Sequence, residues 1–126
     1  MTKLQRQRLK YLADRMAKLP ASADKHFGMR SWFEHYGDHD HHFGKRITRR
    51  DLHKCGTAAC AIGWAATMPF FNKLGVFVTS VSTITKYPSQ IFGYESSYLF
   101  GPDHPAKTPK QWAKAAREFL KQMVEP

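Results

Sequence analysis

Cys55-Gly56-Thr57-Ala58-Ala59-Cys60-Ala61-Ile62-Gly63-Trp64-Ala65-Ala66 is the stretch on which the fold turns. It holds both cysteines of the chain and one of its three tryptophans, and no residue from Ala58 to Met68 is charged. A helix that is apolar all round has no face suited to water and belongs inside a core. The reading is therefore a central buried helix over residues 57–68, with Thr57 as its N-cap and Pro69 close to its end. Gly63 in its interior costs about 1 kcal/mol relative to alanine, which a close backbone approach would justify.

Amphipathic segments flank this middle. Over residues 3–19, Leu9, Leu12, Ala13, Met16 and Leu19 share one helical arc, while Lys3, Arg6, Lys10 and Lys18 share the other with Asp14 among them. Pro20 ends that helix. A connection over residues 20–28 leads to an aromatic group, Phe27, Trp32, Phe33 and Tyr36, expected on a short helical turn packed against the first helix. Residues 37–46 read as a loop from their Gly and Asp content. The Val, Thr and Ile of residues 76–87 are the only convincing strand material, predicting a small hairpin. Ser89 to Phe100 reads as a short helix packing Ile91, Phe92, Tyr98, Leu99 and Phe100. Thr108 followed by Pro109 marks the start of a final helix. Its apolar stripe is Trp112, Ala116, Phe119, Leu120 and Met123, and its opposite stripe is Lys110, Lys114, Arg117 and Lys121. The fold class expected is mainly α with minor β, in a single domain spanning residues 1–126.

Composition agrees with a folded protein: 42% of the 126 residues are hydrophobic and 24% charged. The formal net charge of +10 is the unusual quantity. It exceeds the magnitude of roughly 2–8 that solubility alone favours. Residues 1–54 carry 13 Lys and Arg against 6 Asp and Glu, residues 55–106 carry 2 against 2, and residues 107–126 carry 5 against 2. A neutral middle between basic ends predicts a core wrapped by cationic elements that attract polyanions. The opening residues lack the apolar run of a secretory signal, and no window reaches the roughly 18 apolar residues of a membrane span. A cytoplasmic setting without membrane association is expected, with both cysteines as reduced thiols.

The order of these signals resembles a group of small bacterial and phage proteins. The resemblance rests on Leu12-Ala13-Asp14, on Phe27, Met29 and Trp32 at Phe-x-Met-x-x-Trp spacing, and on Cys-Gly-Thr-x-x-Cys-x-x-Gly over residues 55–63. Leu99-Phe100 and the helix begun by Thr108-Pro109 complete it. It implies no activity, substrate or catalytic residue. A phage setting implies a small accessory or anti-defence factor that binds host machinery.

Three groups of residues could carry function. At a helix N-terminus near Gly56 and Thr57, unpaired N–H groups would hold an anion or lower the pKa of Cys55, with His53 or His104 as base. The competing reading makes Thr57 a cap, Gly56 a tight turn and the cysteines small core residues. The second group is His35, His39, His41, His42, His53 and Cys55, with Cys60 nearby. Zinc takes four such donors tetrahedrally, with His39, His41 and His42 the nearest set. The spacing is poor and a hydrated polar loop accounts for the same residues, so no cofactor is expected. The third group is cationic: Arg6 and Lys10, then Arg46, Arg49 and Arg50, then Lys110, Lys114, Arg117 and Lys121. Phosphate neutralisation by such side chains gives sequence-independent affinity, and interleaved aromatics such as Trp32, Phe43 and Tyr87 could stack on bases. The leading expectation is a small binding or regulatory protein that engages nucleic acid or an acidic protein. A cysteine-dependent enzyme or anionic-ligand binder, and a metal-stabilised interaction module, are the alternatives.

Overall fold

The computed structural model describes residues 1–30, 34–35, 46–53, 57–80 and 83–123. The first helix, α1 (Lys3–Ala17), starts in a capping box: Gln5 N–H donates to Thr2 Oγ1 while Thr2 N–H donates to Gln5 Oε1. Two orphan backbone donors are satisfied by one pair of side chains. Leu9, Leu12, Ala13 and Met16 are buried along its inner face, as their spacing predicts. A 3₁₀ helix (Ala21–His26) follows Pro20, and the chain then runs extended through Phe27.

The uncharged middle is buried, but it is not one helix from Thr57. Thr57–Ala58 form a strand, β2, antiparallel to β1 (Glu34–His35), with Glu34 opposite Ala58 and His35 opposite Thr57. Ala59 bridges Phe27: its N–H donates to the His26 carbonyl and its own carbonyl accepts from Gly28 N–H. These tertiary bonds hold residues 57–59 extended. Preceding them in the chain is α2 (Arg49–Leu52), capped by Thr48 and Asp51. The buried helix itself is α3 (Ala61–Ala65), with Cys60 at its N-cap and every residue buried. It stops because Met68 precedes a proline and is pushed extended, at ψ 130°. Pro69 therefore opens a helix, α4 (Pro69–Asn72), and does not close one.

The hairpin is present as β3 (Val78–Ser80) against β4 (Thr83–Ile84), with a register irregularity between Val78 and Ser80. The segment expected as one helix over 89–100 is two pieces. They are α5 (Pro88–Phe92) and a 3₁₀ helix (Tyr94–Phe100), divided by Gly93 at φ +93°. That left-handed value is one L side chains rarely adopt. Ile91, Phe92, Leu99 and Phe100 are buried as expected, whereas Tyr98 is 67% exposed. The last helix is α6 (Pro109–Gln122), and Thr108 Oγ1 accepts from Gln111 N–H at 3.1 Å. The protein is mainly α with minor β.

A run of ring contacts leads from Tyr11 and the exposed Phe70 through the core to Trp112. Tyr11 stacks on Phe70 (centroids 4.2 Å apart), Phe71 meets Phe92 at 5.5 Å, Phe92 stacks on Phe100 at 4.8 Å, and Phe100 meets Trp112 at 5.5 Å. Such tilted and offset pairs add to the area they bury. Trp64 and Trp112 have no exposed surface, and each satisfies its indole N–H on a backbone carbonyl, His26 for Trp64 and Leu99 for Trp112. Buried donors left without such a partner would cost about 1–3 kcal/mol each.

Candidate cationic surface

Helices α1 and α6 lie side by side and antiparallel. Arg6 donates to the Met123 carbonyl, Arg117 pairs with Asp14 at 3.0 Å, and Lys110 reaches the carbonyls of Ala17 and Leu19 at 3.1 and 2.9 Å. Three contacts in inverse sequence order fix the direction of packing. They also correct the expectation that the α6 cations point straight away from the core. Lys110 and Arg117 lean across the seam to α1, so the stripe lies along the α1 flank of α6.

The charges are consequently unequal. Arg117 faces a carboxylate, and Lys121 has Glu118 at 3.7 Å on its own helix. Both pairs are exposed, where such contacts contribute roughly 0–1 kcal/mol. Lys110 is occupied differently, because it caps carbonyls left open at the end of α1. Those bonds fix the ammonium and leave its charge intact. Lys114 is exposed, and among the described residues no partner is found for it. Beside the seam, Lys3, Arg6, Gln7, Lys10 and Leu120 line a groove of about 250 Å³.

The third basic group sits at the other end of α1. Arg46 places its guanidinium over the Phe77 ring at 5.0 Å, and Arg50 is exposed. Arg49 is half-buried over Trp64, 5.1 Å from the ring centroid, and its Nε donates to Thr67 Oγ1 at 3.1 Å. Arg15 and Lys18 come up beside it, a convergence no spacing in the sequence announces. Burial, and secondarily the charge of Arg15, pull the Arg49 guanidinium below the usual arginine range. An exposed tyrosine edge likewise has no signal in the spacing: Tyr94 is 82% exposed and Tyr98 67%, on one 3₁₀ helix. Tyr87, expected as a stacking residue, is 58% exposed.

The thiol and metal candidates fare differently. Cys55 and Gly56 lie outside the described residues, as do His39, His41, His42, Trp32 and Phe43. Thr57 is in a strand and the buried helix starts four residues later, so Thr57 is not at a helix N-terminus. His53 follows α2, and its ring meets His26 at 5.8 Å and Trp64 at 6.1 Å. Desolvation, then His26, then Arg49 lower its pKa, so it is neutral at pH 7. His104 is buried, and burial lowers its pKa too; its Nδ1 accepts from Ala106 N–H at 3.2 Å. Cys60 is a buried thiol. Among the described residues no three His, Cys, Asp or Glu side chains gather as metal ligands, and no helix is long and apolar enough to cross a membrane. No family model, curated protein or solved structure matches the chain.

Proposed function

We propose that this chain is a small binding or regulatory protein of the cytoplasm that docks a polyanion, nucleic acid or acidic protein, across the paired α1 and α6. The observation that supports this most is the antiparallel pairing itself. It sets Lys3, Arg6 and Lys10 beside the flank of α6 that carries Lys110, Lys114, Arg117 and Lys121. Only Asp14 and Glu118 oppose them along these two helices. A continuous field of one sign raises the local concentration of an anionic partner and speeds encounter. Arg46, Arg49 and Arg50 extend the positive potential past the end of α1. Each residue acts mainly as a point charge, so single substitutions weaken binding modestly and without sequence preference.

The test is a pull-down from cells with and without nuclease treatment, comparing the native chain with Lys10→Glu/Lys114→Glu/Lys121→Glu. The proposal expects bound material that the triple variant loses. Nuclease sensitivity of that material identifies nucleic acid, and nuclease resistance identifies an acidic protein. Equal recovery by both chains, or no bound polyanion, removes the proposal.

A further inference from the structure

We propose that the cleft between the end of α1 and the start of α2 binds a single phosphate monoester group, held by Arg15, Lys18 and Arg49. The site is separate from the α1–α6 face and does not depend on that face binding anything.

Arg15, Lys18, Leu19, Arg49 and Met68 line a cavity of about 150 Å³. This is below the roughly 300–1,000 Å³ of pockets that enclose drug-sized ligands. It suits a compact anion and not a whole nucleotide. Its floor is apolar, since Met68 is buried and Leu19 nearly so. Arg15 and Lys18 are exposed at its rim and Arg49 is half-buried, so charge interactions on the Arg49 side are screened less than on an open surface.

The polar lining is entirely cationic. Among the described residues no carboxylate lies within ion-pair distance of Arg15, Lys18 or Arg49. Asp51, the acid nearest Arg49 in sequence, turns back to accept from Thr48 N–H at 2.8 Å and Thr48 Oγ1 at 2.9 Å. Like charges brought together without a counterion cost free energy; burial lowers the Arg49 pKa most, and the charge of Arg15 lowers it further. A doubly charged oxyanion would relieve that cost.

The fork of Arg49 is also held in place before any ligand arrives. Trp64 supports its face and Thr67 Oγ1 takes its Nε–H. The terminal NH groups remain available for two parallel bonds to phosphate oxygens, the geometry for which arginine is preferred over lysine. The open carbonyls at the end of α1 would normally repel an anion. Here Lys110 bonds to the carbonyls of Ala17 and Leu19, offsetting that repulsion.

The experiment is titration with inorganic phosphate at low ionic strength, followed by calorimetry and by amide shifts in NMR spectra. Saturable one-to-one binding is expected, with shifts centred on residues 15–19, 48–50 and 67–68. Arg15→Gln and Arg49→Gln should each weaken it about tenfold, consistent with loss of a charge-assisted bond. Arg49→Lys keeps charge and loses the fork, so it should also weaken binding, and it stands in for Arg49→Gln should that chain fail to fold. Lys10→Gln/Lys121→Gln, remote from the cleft, should stay within about twofold if binding is local and not a response to net charge. A second arm compares one oligonucleotide with a 5′-phosphate or a 5′-hydroxyl end. Preference for the phosphate, lost in Arg15→Gln, makes the ligand a nucleic-acid terminus, while equal binding of the two with phosphate still bound makes it a small phosphate ester. Absence of saturable phosphate binding overturns the inference. So does an equal loss in the Lys10/Lys121 variant.

Discussion

Lys110 and Lys114 look interchangeable in the sequence, one helical turn apart on the same stripe, yet their surroundings give them different work. Lys110 closes the end of α1 with two charge-assisted bonds, so Lys110→Ala should cost about 1 kcal/mol of stability in urea unfolding. Lys114→Ala should stay within about 0.5 kcal/mol, as exposed substitutions do. Its effect should appear instead as weaker polyanion binding. His104 carries a pH dependence of definite sign. The folded chain holds it below the usual histidine value of 6.5, so the unfolded chain takes up the proton first as pH falls. Stability from this group is therefore complete above 6.5 and is lost as pH drops through the folded value. Protonation at Nδ1 would also cost the bond from Ala106. Between pH 7.5 and 5.5, Tm should fall more steeply for the native chain than for His104→Asn, whose amide oxygen can still accept that N–H. Parallel slopes would exclude His104 as the group responsible.

At the scale of elements, Gly93 joins two helices that the sequence presents as one. Its φ of +93° divides α5 from the 3₁₀ helix after it, and a Cβ there would meet Gln5 Oε1 at 2.8 Å. Gln5 is half of the capping box of α1, so Gly93→Ala strains its own backbone and disturbs the start of another helix. A loss of about 1–3 kcal/mol is expected from the backbone alone, measured as a fall in the denaturation midpoint. Accompanying loss of amide-exchange protection in the first turn of α1 would confirm the coupling. The helices with strong local signals are legible in the sequence. Thr108-Pro109 and the stripe from Trp112 to Met123 define α6, and the spacing of Leu9, Leu12, Ala13 and Met16 defines α1, because cap chemistry and periodicity act within a few residues. Residues 57–59 defy such reading for the converse reason. Ala-rich sequence favours a helix locally, but hydrogen bonds to residues 26–28 and pairing with β1 hold it extended.

For the whole molecule, the prediction concerns salt. A polyanion docked on the α1–α6 face should lose affinity linearly in log K against log salt. Removing Lys10 and Lys121 should make that slope shallower by about one unit for each phosphate left without its cation. A flat plot for the native chain would leave no place for counterion release. The direction of the net charge, its concentration at the two ends, and the amphipathic faces of α1 and α6 are all readable from composition and spacing.

What the sequence alone determined is what short-range physics determines: which segments coil, where two long helices start and stop, which faces are greasy, and that the surface is strongly positive. The tertiary structure decided which charges end up as neighbours. Lys110 became a cap, Arg117 met Asp14, and Arg15, Lys18 and Arg49 met around an apolar floor, because packing about Trp64 and Trp112 juxtaposes helix ends that lie dozens of residues apart. No local pattern encodes such a meeting, since it depends on how every buried side chain fills the same space at once.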